Sequence, residues 1–168
     1  GPSAPGCADR RGRALGEDDI LVNEAVRNAG AVYNQIVRTR PGTSLGFSGG
    51  GLGWSAGLAL GAKLARPDAT VVQVVGDGSF YFGNPSSTYA VSQQYRLPIF
   101  TVVLDNAGWS AVKEATLRMY PDGESKSIEE FQARLAPGVE FARICEAAGG
   151  YGEKLSDPDA APEAIRRC

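Results

Sequence analysis

The 168 residues, 43% hydrophobic and 21% charged with a formal charge of −2, suffice for one domain burying roughly 70% of its unfolded-chain surface. They exclude a disordered composition and the strongly basic balance of a nucleic-acid binder, and no run of about 18 apolar residues suggests a membrane span. The chain has no histidine, which removes the commonest acid–base group and metal ligand, and its three widely separated cysteines suggest neither a disulfide framework nor a zinc site, so a cytoplasmic protein is expected.

Residues 1–16, GPSAPGCADRRGRALG, are small, charged and aperiodic, and read as a linker or tag remnant ahead of a domain over 17–168. DILVNE (19–24) is expected to be a short buried strand, and RNAGAVYNQIVRTR (27–40) a helix ending before Pro41. The glycine-dense GFSGGGLGWSAG leads into LALGAKLAR (58–66), a small-residue helix closed by Pro67. TVVQVV (70–75) is a continuous apolar strand that stops on Gly76-Asp77-Gly78. SSTYAVSQQYR (86–96) follows as a helix, and IFTVVLDN (99–106) as a second apolar strand ending on polar groups.

Beyond it, SAVKEATLRMY (110–120) is expected to be a helix. SIEEFQARL (127–135) opens with a capping box of Ser127 and Glu130. EFARICEAAGG (140–150) reads as an amphipathic helix closed by glycines, and DPDAAPEAIRRC starts another. Continuous apolar strands alternating with helices define an α/β fold: a doubly wound parallel sheet flanked by helices.

In an open parallel sheet, ligands sit outside the carboxyl ends of the strands. Asp77 and Asn106, 29 positions apart, both fall there. If their strands are neighbours, the two side-chain oxygens lie a few ångströms apart, and a carbonyl from the next loop can supply a third hard oxygen. With phosphate oxygens and water these would make an octahedral Mg²⁺ site. Gly76 ends the strand. Gly78, lacking a side chain, would let phosphate approach the backbone, and Ser79 can donate N–H and O–H at the start of the following turn.

GDGSF followed by LDNAGW resembles the motif of thiamine-diphosphate-dependent enzymes, with a spacing slightly long and the excess placed in FGNPS. The resemblance implies thiamine diphosphate and Mg²⁺ as cofactors, with Asp77, Asn106 and the Gly108 carbonyl as metal ligands. Asp105 stands where many relatives have asparagine. GGGLGW resembles the segment that props thiamine into its bent conformation, which would assign that prop to Leu52 and a carbonyl acceptor for the 4′-amino group to Gly50. Residues 20–150 are similar to the diphosphate-binding domain of the acetolactate synthase, benzoylformate decarboxylase and 2-hydroxyacyl lyase branch. In that branch the loop after the first strand contacts diphosphate or substrate, and here it carries Arg27 and Asn28. The family's activating glutamate belongs to a pyrimidine-binding domain of the same or a partner subunit. The resemblance therefore implies a homodimer or tetramer acting on a 2-oxo acid or acyl donor, and an isolated chain, truncated at its C-terminus, that has no turnover.

Other readings stay open at this level. GGGLGWSAG fits a weak dinucleotide pattern, but no strong strand precedes it, and a P-loop lysine is absent. An assembly or regulatory relative without catalysis is a further alternative. Asp77 alone could cap a helix. Glu24 could be a base, a capping group or a solvated carboxylate. Trp54 and Trp109 suit packing or a pocket wall, Cys145 suits the core, and Glu114 with Arg118 suits an i,i+4 surface pair.

Overall fold

A computed structural model describes residues 15–47 and 49–168; Cys7, most of the expected linker and Ser48 lie outside the described residues. The sheet has four parallel strands in the order β2-β1-β3-β4. They are β1 (Ile20–Glu24), β2 (Ser44–Leu45), β3 (Val71–Gly76) and β4 (Phe100–Leu104). The helices are α1 (Ala29–Gln35), α2 (Trp54–Ala65), α3 (Asp77–Phe82), α4 (Pro85–Tyr95), α5 (Ser110–Met119), α6 (Glu124–Ser127), α7 (Phe141–Ala147) and α8 (Ala161–Arg167).

Successive side chains on a strand point to opposite faces, and both faces of this sheet are apolar. Ile20, Val22 and Val71 pack with Ala59 and Ala62 of α2 on one side. Leu21, Val72 and Val74 pack with Val32 and Ile36 on the other. The core is therefore split by the sheet, as a doubly wound fold requires. Ser55, Ala59 and Ala62 form one buried stripe of α2, and their small side chains bring the helix close to β1 and β3. Leu15 and Gly16, expected to be linker, are tied to the domain: Leu15 packs on the second cluster, and the Arg38 guanidinium donates to the Gly16 carbonyl at 2.7 Å.

Several boundaries differ from expectation. α1 is limited to Ala29–Gln35 and is preceded by a 3-10 turn, Val26–Asn28. α2 starts at Trp54, four positions ahead of the expected Leu58, because a left-handed Gly53 (φ 80°) turns the chain into the helix. α3 was not expected, since Gly-Asp-Gly reads as a loop. Asp77 occupies its first turn, where an acidic group complements the helix dipole. The capping box does not form: Ser127 ends α6 and donates to the Glu124 carbonyl at 2.8 Å, while Glu130 accepts from the Gln132 amide at 2.7 Å. Residues 128–135 instead form an irregular segment whose Ala133–Leu135 part lies against the loop after β4.

Candidate functional site

At the carboxyl end of β3 the Asp77 side chain is 2% exposed. Its Oδ1 accepts the Gly78 N–H at 2.9 Å, and its Oδ2 accepts those of Gly108 at 2.8 Å and Asn106 at 3.2 Å. The β3–β4 register sets Gly76 beside Leu104, which is why the two motif halves meet. A carboxylate offers about four lone-pair sites, so three backbone donors leave one on Oδ1. The exposed Asn106 accepts the Ser110 hydroxyl on its side-chain oxygen at 3.1 Å, one of the two bonds that oxygen can take. The bridge between Gly108 and Arg134 is closed by Trp109 N–H to the Ala133 carbonyl, 2.8 Å, and Leu135 N–H to the Ala107 carbonyl, 3.0 Å. Neither bond uses the Gly108 carbonyl.

The remaining acceptors are one carboxylate, one amide and one backbone oxygen, a hard donor set suited to Mg²⁺. No group of three His, Cys, Asp or Glu residues among the described residues could hold a metal. An ion held by Asp77, Asn106 and the Gly108 carbonyl would take one charged and two neutral oxygen donors from the protein.

Gly78 is closely packed on its Cβ side. A Cβ on it would lie 2.3 Å from Cδ1 of Trp109, so the indole takes the space a side chain would need. Ser79 is buried in the first turn of α3 and, with Ser55, Gln73 and Tyr89, lines a void of about 10 Å³, room for one water. Gly50 and Gly76 face open space where a Cβ would point. Leu52 is 36% exposed.

Glu24 is a buried capping group rather than a solvated carboxylate. At 3% exposure it accepts the Gly53 N–H at 2.6 Å on Oε1 and the Ser55 N–H at 2.9 Å on Oε2, capping α2 from the neighbouring strand. Below it, the Gln73 amide donates to Ser55 Oγ at 2.7 Å, and its oxygen accepts the Thr101 hydroxyl at 3.0 Å. Burial pushes the Tyr89 hydroxyl up to about 12, and a hydrogen bond with Thr101 partly offsets the rise.

The first loop is shaped by Asn23, whose side-chain oxygen accepts the Ala25 N–H and whose amide donates to the Ala29 carbonyl. Asn28 is exposed just beyond it. Arg27 reaches Glu114 of α5 at 2.5 Å, so the expected Glu114–Arg118 pair gives way to a tertiary one. Trp54 packs on the α2-side core and lies against Phe47, ring centres 5.8 Å apart. Cys145 is half-buried on α7, and desolvation raises its thiol pKa. A cavity of about 190 Å³ opens beside Asn106, lined by Gly108, Ser110, Lys113, Phe131 and Arg134. Lys113 sits 5.0 Å above the Phe131 ring.

A capping group was among the readings open for Glu24, whereas the anchoring roles of Asn23 and Gln73 were missed. Only Gln73 carries a visible signal, as a lone amide inside the apolar run VVQVV.

A parallel sheet whose strand-end aspartate collects the loops after two strands is an α/β binding domain of the kind that holds ligands at the carboxyl edge. Residues 28–168 match the family described as thiamine pyrophosphate enzyme, C-terminal TPP binding domain, and the chain belongs to that family. It is 31% identical over 136 residues to a benzoylformate decarboxylase of Pseudomonas aeruginosa, covering 80% of this chain and 23% of the relative. It is 34% identical over 156 residues to an acetolactate synthase large subunit of Mycobacterium tuberculosis, covering 92% and 27%. The solved structure of a thiamine diphosphate-dependent 4-hydroxybenzoylformate decarboxylase from Rhodococcus jostii RHA1 superposes with a TM-score of 0.77 at 25% identity, over 91% of this chain and 27% of that one. The chain thus spans about a quarter of the length of these relatives. Among the described residues no helix is long and apolar enough to cross a membrane.

Proposed function

We propose that this domain anchors thiamine diphosphate through Mg²⁺ within an enzyme that makes or breaks C–C bonds of 2-oxo acids or 2-hydroxyacyl compounds. The observation that carries the reading is Asp77: one buried carboxylate at the end of β3 gathers the Asn106 and Gly108 backbone N–H groups, which brings the loop after β4 to the same strand end. Asp77, Asn106 and the Gly108 carbonyl hold the metal. Gly76, Gly78 and Ser79 line the diphosphate end, and Asn28 borders it from the first loop. Gly50 and Leu52 meet the thiamine end. When bound, the cofactor supplies the electron sink for a carbanion next to a carbonyl. The protein's part is to bind, orient and keep the metal's charge opposite the diphosphate.

The pyrimidine-binding half belongs to another domain of the same or a partner subunit, in a dimer or tetramer, and the setting is cytoplasmic. These 168 residues alone have no turnover with 2-oxo acids; decarboxylation by the purified chain would contradict this. Calorimetric titration of thiamine diphosphate tests the anchor. Binding with Mg²⁺ that disappears in EDTA, and in both Asp77→Ala and Asn106→Ala, supports it. Metal-independent binding, or binding unchanged in those variants, sinks it. A non-catalytic relative would bind the cofactor and still give no turnover when the complementary domain is supplied.

A further inference from the structure

Glu24 is the last residue of β1 and pairs in register with Val75, at the same sheet edge as Asp77. Its two oxygens are spent on two backbone amides, 29 and 31 positions downstream. The first amide belongs to the Leu52–Gly53 peptide, so the carboxylate sets the plane of the peptide that carries Leu52. The second is in the first turn of α2, where unsatisfied N–H groups welcome an acceptor. Gly53 between them is left-handed, and a Cβ there would lie 2.6 Å from the Gly83 Cα. The turn is therefore held on one side by Glu24 and packed on the other by the α3–α4 junction. Among the described residues, residues 49–52 make no hydrogen bond of their own. The Glu24 bond at Gly53 is the tether at the end of that stretch.

We infer that Glu24 is a positioning residue that holds the Gly50–Leu52 loop in the shape that meets the thiamine half of the cofactor, leaving the diphosphate half to Asp77 and Asn106. The inference rests on the thiamine diphosphate reading above. It separates the two ends of one ligand between two buried carboxylates on adjacent strands. With one backbone N–H on each oxygen and 3% exposure, Glu24 acts through the loop and the α2 N-terminus that it holds.

The test uses Glu24→Gln, which keeps the shape but turns an NH₂ group against one of the two amides. Three quantities are measured on the parent and the variant: amide exchange at Gly53 and Ser55, affinity for thiamine diphosphate with Mg²⁺, and affinity for inorganic pyrophosphate with Mg²⁺. Expected is faster exchange at both amides, thiamine diphosphate binding weaker by roughly tenfold, and pyrophosphate binding altered by less than about twofold. A parallel loss of both affinities would mean a merely structural role and overturn the inference. Unchanged exchange, or faster exchange with unchanged thiamine diphosphate affinity, would also overturn it. A parent chain that binds neither ligand would instead bring down the underlying cofactor reading, and the inference with it. If the Gln variant does not fold, Glu24→Asp replaces it: charge retained with a shorter reach predicts the same split with a smaller loss.

Discussion

The carboxyl edge of the sheet and the last sixth of the chain are held by different physics. At the edge, Asp77 and Glu24 are buried and accept five backbone N–H groups between them. In residues 140–168 the polar contacts are surface pairs: Arg143 with Glu146, Lys154 with Glu140, Arg166 with Glu163, and Arg167 with Glu153. Buried acceptors are costly to remove, because each orphaned donor forfeits its desolvation. Exposed pairs lose little, since water replaces the partner. The edge is thus held rigidly, and the periphery is stitched loosely around it.

The strongest way to break this contrast is Gly53→Ala. It puts a Cβ on a left-handed residue already against the Gly83 backbone, and should cost about 2–4 kcal/mol in urea unfolding. A near-neutral result would show that the edge is not rigid there.

Tyr89 tests the region between, behind the edge. Its raised pKa means that the folded state holds the hydroxyl neutral. Its stabilising contribution is complete below the ordinary value of 10 and is lost as the pH rises through about 12. Unfolding free energy should therefore fall across that window in the parent, and the fall should be shallower in Tyr89→Phe.

The smallest effect is expected from Arg167→Ala. Arg167 and Tyr151 surround Glu153, and the arginine holds that carboxyl below its ordinary range. The pair's contribution is present above the ordinary carboxylate pKa and fades as the pH falls through the lowered one. The variant should leave the melting temperature and the Mg²⁺-dependent binding unchanged at neutral pH, with fraying confined to α8 in amide exchange. A global loss would place the C-terminal segment with the rigid edge.

What the sequence determined by itself is the part written in residue types. Valine and isoleucine runs define β1, β3 and β4 through the apolarity of a sheet buried on both faces, and glycine beside aspartate marks the end of β3. Asp77 and Asn106 were legible because a matched pair of strand ends predicts their meeting, Gly108 only through the family resemblance, and the N–H groups of Asn106 and Gly108 both reach the Asp77 carboxylate. Tertiary structure alone decided what depends on backbone partners and on distance through space. A peptide N–H is the same at almost every residue, so nothing in the sequence says that Glu24 reaches Gly53 and Ser55, or that residues 133–135 pair with the loop after β4. Arg27 likewise found Glu114 across a gap of 87 positions only because the sheet brings the first loop and α5 together. Local spacing reveals which groups a chain possesses; packing decides which of them share a boundary.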